Sequence, residues 1–195
     1  MSEKTIVHLL EKNAKLIGEK PAYYEKRNGQ WNPTNWQTYY QQARQTGRAL
    51  LALGLDKGDI TTVLGSNRSE WTLSLLGSFM IGGISAGIYT SNSPSEIAYI
   101  VNHAESKVIF LENNAQLDKV NQVWPDLASL EHVVLMRGAT VPDDDDRVMG
   151  WDDFLAKGDA IAEDEIDKRM ATLQPDQIAD FIYTSGTTGP PKAVM

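Results

Sequence analysis

Tyr183-Thr184-Ser185-Gly186-Thr187-Thr188-Gly189-Pro190-Pro191-Lys192 follows directly on Ile178-Ala179-Asp180-Phe181-Ile182. The first-quoted run is a Ser/Thr/Gly cluster; the one before it is apolar and rich in strand formers. The pair therefore reads as a buried strand with a loop leaving its end. In open α/β sheets ligands sit beyond such strand ends. Gly186 and Gly189 let a backbone approach a ligand closely. Thr184, Ser185, Thr187 and Thr188 offer hydroxyl donors, and successive peptide N–H groups can form an anion-binding concavity. Lys192 adds a positive charge. Pro190 and Pro191 donate no N–H, so the backbone donors must come from 184–189. This composition suits the phosphates of a nucleotide. It is not a Walker A loop, because Gly-x-x-x-x-Gly-Lys-Ser/Thr cannot be laid over Gly186 to Lys192 in any register.

Working outward from that junction, stretches 60–64, 84–89, 107–111 and 132–136 read as further strands. The runs at 107–111 and 132–136 are apolar without alternation, which implies cover on both faces and a parallel sheet. Amphipathic helices fall between them. One carries Trp71, Leu75, Leu76, Phe79 and Met80 after Asn67 and Glu70, spaced as a capping box. A second follows Ser93-Pro94-Ser95-Glu96, a capping box with proline at the first helical position, and buries Ile97, Ile100, Val101 and Ala104. A third carries Leu117, Val120, Val123, Trp124 and Leu127, ended or kinked by Pro125. Strands separated by single helices imply right-handed βαβ crossovers. The fold class expected is α/β, a doubly wound, mostly parallel sheet flanked by helices.

Ahead of this unit, Ile6, Leu9, Leu10, Ala14 and Ile17 mark an amphipathic helix stopped by Gly18. Asn28-Gly29 supplies the positive φ of a tight β-hairpin. Thr34 or Asn35 can cap a helix whose Trp36, Tyr39, Tyr40, Ala43, Gly47, Leu50 and Leu51 form one buried stripe. Stretches 151–155 and 163–173 read as peripheral helices. Asp143 to Asp146 form an acidic run lacking the glycine of a calcium loop, and read as solvated surface.

The chain has 195 residues, of which 42% are hydrophobic and 23% charged, with a net charge of −8 and no cysteine. These values suit a soluble α/β domain and exclude disulfides, cysteine–zinc clusters and thiol nucleophiles. The acidic balance argues against a nucleic-acid partner, since phosphate backbones need a basic face. No run reaches the length of a membrane span and no signal peptide is evident, so a cytoplasmic location is expected. Gly-x-Ser-x-Gly, HExxH and Gly-x-Gly-x-x-Gly are all missing, and His8, His103 and His132 have no local partner for nucleophilic chemistry.

The run 183–192 closely resembles the phosphate-binding signature of the adenylate-forming (AMP-binding) superfamily, which includes acyl-CoA synthetases, luciferases and the adenylation domains of peptide synthetases. One departure is Ala193, where that family usually has glycine. Trp36 to Gly58, with Gly47-Arg-Ala-Leu50 and Gly54-Leu-Asp-Lys-Gly58, resembles the early helix and turn of acyl-CoA synthetases. Gly65-Ser-Asn-Arg-Ser-Glu-Trp71 and Gly87-Ile-Tyr-Thr-Ser-Asn-Ser-Pro-Ser-Glu96, with Ala98-Tyr-Ile-Val-Asn-His103 after it, resemble the long-chain fatty acyl-CoA synthetase branch in particular. The resemblance implies that a fatty acid carboxylate attacks the α-phosphorus of ATP, with Mg2+ sharing the charge, and that the CoA thiol then displaces AMP. It also implies that Thr184, Ser185, Gly186, Thr187, Thr188, Gly189 and Lys192 hold the β- and γ-phosphates and are binding groups rather than the acid or base.

The same resemblance makes residues 1–195 a partial N-terminal domain without its C-terminal domain, and hence an inactive piece of a ligase. Fatty acid users often meet their substrate at a membrane, so a peripheral membrane contact joins ATP, fatty acid and CoA among the expected partners. The alternatives are another carboxylate-adenylating enzyme, for aryl or amino acids, and a non-catalytic nucleotide-binding scaffold. As a fragment, the chain is expected to leave the strand ending at Tyr183 short of neighbours and to be poorly soluble.

Overall fold

The computed structural model describes residues 5–184 and 190–195. The chain opens with α1 (Ile6–Ile17), a hairpin of β1 (Pro21–Arg27) and β2 (Gln30–Asn35), and α2 (Trp36–Ala52). Strand and helix then alternate through β3 (Ile60–Leu64), α3 (Ser69–Met80), β4 (Ile84–Ile88), α4 (Pro94–Ala104), β5 (Ser106–Leu111), α5 (Asn114–Val123) and β6 (His132–Leu135). The last elements are β7 (Val148–Gly150), α6 (Trp151–Lys157), α7 (Asp164–Ala171), β8 (Asp180–Thr184) and β9 (Lys192–Val194).

Strands β3 to β9 form one seven-stranded sheet in the order β7-β6-β5-β3-β4-β8-β9. Every pairing is parallel except the last, β8 with β9. β3 is where the winding reverses, because β4 lies on one side of it and β5 on the other. The two faces are accordingly covered by different helices. Val63, Val108, Phe110 and Val134 pack with α1, α2, α3, α6 and α7. Leu64, Ile88, Ile109, Leu111 and Val133 pack with α4 and α5. This is the doubly wound sheet expected from the apolar strands, each buried on both sides.

Local signals hold at most of the element starts. Asn28 and Gly29, at φ 52° and 79°, turn the β1–β2 hairpin, and Asn35 Oδ1 caps α2 by accepting from the Thr38 N–H at 2.8 Å. At α4, the Ser93 N–H and hydroxyl both donate to Glu96 Oε2, at 2.7 and 2.8 Å. The capping box expected from Asn67 and Glu70 does not form. α3 begins one residue later, with Arg68 at the N-cap, and Glu70 turns to the Arg68 guanidinium instead. Arg68 Nε and Nη2 each donate to that carboxylate at 2.8 Å, and Ser69 Oγ adds a bond of 3.1 Å. A bidentate charged donor outcompetes a single backbone N–H.

Four further differences from the sequence reading have physical causes. α6 is not peripheral: Trp151 and Phe154 are 1% and 0% exposed and stack on Phe110 with ring centroids 5.8 and 5.5 Å away. In so short a helix, an aromatic pair three residues apart sets one inward face that apolar periodicity does not reveal. α7 also buries Ile166 and Met170. The edge strands β7 and β9 escaped the sequence because three residues carry no alternation to read. β8, expected to lack neighbours, is paired on both sides, by β4 and β9. Exposed apolar side chains remain nearby all the same, at Ile182 and Val194, which face each other across β8 and β9.

The acidic run behaves as a surface loop, with Asp145 accepting from Arg147, whose guanidinium lies 3.8 Å over the Trp124 ring. Among the described residues, no helix is long and apolar enough to cross a membrane.

α2 and α3 cross with Gly47 against Gly77. A Cβ at Gly77 would lie 2.6 Å from Thr46 Cγ2 and 2.9 Å from the Gly47 nitrogen. Gly77→Ala is expected to cost about 1–3 kcal/mol by forcing the helices apart, as measured by urea unfolding. Glu70 gives a pH prediction. Burial is the largest single influence and would raise its carboxyl, but the hydrogen bonds and charge of Arg68, a backbone N–H and the Ser69 hydroxyl together hold it below its ordinary value of 4.5. A carboxylate with a depressed native pKa stabilises the fold above its unfolded pKa, and that stability drains away as pH falls through the native value. Arg68→Ala should therefore lower stability at pH 7 by roughly 3 kcal/mol, since the buried carboxylate loses its main partner. The deficit should shrink as the pH is taken below about 4, as thermal melts across pH 3–7 would show.

Candidate functional site

The parallel strands of the sheet end together at one rim, where the loops after β3 and β4 leave toward opposite faces. Such a reversal opens a crevice at the carboxyl ends of the strands. The rim is braced on one side by Glu112, whose Oε2 accepts from the Ser66 N–H and hydroxyl at 2.9 and 3.1 Å. On the other side Lys119 Nζ donates to the carbonyls of Thr90 and Asn92 at 2.7 and 3.1 Å. The loop after β3 is thus tied to the end of β5, and the loop after β4 to α5.

β8 delivers Thr184 to this rim and β9 carries the chain back, so Thr184 and Lys192 stand opposite each other in the antiparallel register. Both are exposed. Ser185, Gly186, Thr187, Thr188 and Gly189 lie outside the described residues. Of the candidate phosphate ligands, the structure therefore brings together the first and the last, one on each arm of a β-hairpin. Lys192 sits on a strand rather than in a loop, which limits the directions its ammonium can sample to one side of the sheet.

A cavity of about 340 Å³ lies beside this hairpin, against β4 and β8, with Trp71, Asn67, Gly87, Tyr89 and Asp180 in its wall. Gly87 keeps it open. A Cβ there would meet Trp71 at 3.7 Å, and Gly87 is paired with Ile182 of β8. Burial pushes the half-buried Asp180 carboxyl up, partly offset by a hydrogen bond from the Phe181 backbone.

α4 reaches the hairpin from the opposite face. Its buried side is the expected Ile97, Ile100, Val101 and Ala104, but Tyr99 and His103, one helical turn apart, point to the hairpin. The Tyr99 hydroxyl donates to the Pro191 carbonyl at 3.0 Å. His103 Nδ1 lies 2.9 Å from the Tyr183 hydroxyl. The rings pack as a cluster, Tyr99 to His103 at 5.5 Å and His103 to Tyr183 edge-on at 5.7 Å. Burial pushes the Tyr183 phenol up to about 12, so it stays protonated across the physiological range. The sequence offers His103 no local partner, and no motif spacing pairs residues so far apart in the chain. The other two histidines are structural: His8 Nδ1 lies 2.9 Å from the Thr5 hydroxyl at the start of α1. His132, whose pKa burial lowers, opens β6.

A doubly wound sheet with its winding reversed at β3 places the Thr184–Lys192 pair at the rim where open α/β sheets bind ligands. Residues 10–195 match the family of AMP-binding enzymes, and the chain belongs to that family. Among curated proteins it is 32% identical over 191 residues to the long-chain-fatty-acid–CoA ligase ACSBG2 of Rattus norvegicus, covering 98% of this chain and 29% of that protein. It is 35% identical over 170 residues to the long-chain-fatty-acid–CoA ligase ACSBG1 of Homo sapiens, covering 87% of this chain and 23% of that protein.

Among solved structures, the anthranilate CoA ligase AuaEII in complex with anthranoyl-AMP matches with a TM-score of 0.74 at 25% identity, over 96% of this chain and 33% of that one. A fatty acyl CoA synthetase of Mycobacterium tuberculosis shares the fold with a TM-score of 0.75 at 20% identity, over 97% of this chain and 34% of that one. The chain thus spans less than a third of the length of these curated relatives.

The geometry separates support from contact. If the hairpin is held by α4 and not by Lys192, Lys192→Ala should leave the melting temperature within about 2 °C of the wild type, as an exposed substitution does. A calorimetric scan of the two proteins checks this.

Proposed function

We propose that this chain supplies the phosphate-binding part of an ATP-dependent ligase that activates a long-chain fatty acid as an acyl-adenylate and transfers it to CoA. Thr184, Ser185, Gly186, Thr187, Thr188, Gly189 and Lys192 hold the β- and γ-phosphates. The observation that carries this reading is the hairpin itself. The glycine- and hydroxyl-rich residues 185–189 fall in sequence between Thr184 and Lys192, which face each other at the carboxyl rim of the sheet. The names of the relatives support the fatty acid as the carboxylate.

The reaction asks the protein for positioning and for charge. A carboxylate oxygen must approach the α-phosphorus in line with departing pyrophosphate, and the leaving group gains negative charge as the bond breaks. Hydroxyl and backbone donors held against the β- and γ-phosphates fix that line. Lys192 neutralises part of the developing charge, which matters more in a protein of net charge −8 because the overall field repels an anion. Among the described residues no cluster of three or more His, Asp or Glu side chains could cage a metal. Magnesium in nucleotide sites is held largely by the substrate's own phosphates and waters, and it would share the triphosphate charge with Lys192, the cation this segment itself contributes.

Residues 1–195 form a partial domain in this reading, and the remaining adenine, ribose and CoA contacts lie in chain beyond it. Alone, the 195 residues should release no fatty-acid-dependent pyrophosphate; robust turnover by the purified chain would sink that expectation. In a full-length protein carrying this sequence, Lys192→Ala should lower kcat/KM for ATP by about tenfold or more, the loss of one charge-assisted phosphate contact. Pyrophosphate exchange with a panel of fatty and aryl acids measures this. An unaltered ATP dependence in the mutant would refute the role of Lys192, and a preference for aryl acids would replace the fatty acid.

A further inference from the structure

We propose that Tyr99 and His103 are positioning residues for the phosphate-binding hairpin, setting the separation and direction of its two arms from α4. The inference rests on the phosphate reading of residues 184–192 but concerns side chains outside that segment. Tyr99 holds the returning arm at the Pro191 carbonyl, one residue before Lys192. His103 holds the outgoing arm at the Tyr183 hydroxyl, one residue before Thr184. The two arms are therefore held on either side of the Thr184–Lys192 pair, at Tyr183 on one arm and at Pro191 on the other, by two side chains of one helix. Tyr99 and His103 are four residues apart and so neighbours on the helix surface.

Packing alone does not account for these residues. α4 is already seated by Ile97, Ile100, Val101 and Ala104, all almost fully buried. Aliphatic side chains at 99 and 103 would extend that contact, yet each of the residues present directs a polar atom to the hairpin. Tyr183 is only 4% exposed and its phenol is protonated, so a defined partner for its hydroxyl orients the ring and, through it, the strand end. The base of α4 is itself immobilised by the Ser93–Glu96 box, in which the Ser93 N–H lowers the Glu96 carboxyl. A chain of fixed contacts thus runs from the loop after β4, through α4, to both flanks of the hairpin.

A positioning role affects the nucleotide and not the carboxylate. In a full-length protein carrying this sequence, Tyr99→Phe keeps the ring and removes only the bond to Pro191. It should raise KM for MgATP roughly three- to tenfold, the effect of one hydrogen bond. KM for the fatty acid should stay within about twofold and the melting temperature within about 2 °C. His103→Ala should act in the same direction, and His103→Asn, which can place a polar atom near the position of Nδ1, should recover most of the loss.

If Lys192→Ala raises KM for MgATP while Tyr99→Phe and His103→Ala do not, the positioning role is overturned and the phosphate reading stands. Parallel losses in both substrate KM values together with a lowered melting temperature would mean a merely structural role and would equally overturn it. A wild-type protein without ATP-dependent turnover or MgATP binding would overturn the phosphate reading and this inference with it.

Discussion

The parallel pairing of β3 with both β4 and β5 is the constraint on which the other features depend. A parallel neighbour can be reached only by a crossover, and a right-handed crossover to the left of a strand lies on the opposite face from one to its right. β3 has a parallel neighbour on each side, so α3 and α4 are sent to opposite faces. Both faces of the sheet are then covered, the strands can be apolar throughout, and the loops after β3 and β4 diverge. The crevice at the rim is a consequence of that divergence rather than a feature added to it.

The same winding explains why the hairpin lies where it does. β8 joins the sheet beside β4, parallel to it, and so points its last residue at the same rim. The chain then reverses instead of crossing over. An antiparallel return places the residues on either side of the turn within one strand spacing of each other, which is how Thr184 and Lys192 come to face each other. A parallel continuation would have carried Lys192 to the far end of the sheet. Under the phosphate proposal, an anion held here would work against the net charge of −8, so the attraction would have to come from groups close to it, such as the Lys192 ammonium.

Two kinds of buried polarity support this arrangement. The Arg68–Glu70 pair ties the start of α3 to the loop after β6, since Arg68 also donates to the Arg137 carbonyl at 2.9 Å. The Tyr99–His103–Tyr183 cluster ties α4 to the hairpin. In both, a polar group that would be costly to bury alone has a partner, a near neighbour in the chain for Glu70 and a distant one for Tyr183. Each network reaches a second element, so each is also a constraint on the fold's geometry.

Much of this was legible in the residues alone. The central strands are apolar runs, the helices between them have a 3.6-residue period, and Asn28-Gly29, Asn35 and Ser93-Pro94-Ser95-Glu96 mark turns and caps by local chemistry. Those signals depend on residues within a turn or two of one another, and they were sufficient for the fold class and for most element boundaries. What tertiary structure alone decided was set by partners far apart in the chain. Phe110 turned the apparently peripheral α6 into core. β4 and β9 together made β8 an interior strand, and Pro191 and Tyr183 gave Tyr99 and His103 something to hold. Periodicity records which side of an element is buried, but not what it is buried against, because contact energy depends on distance in space and the sequence orders residues only along the chain.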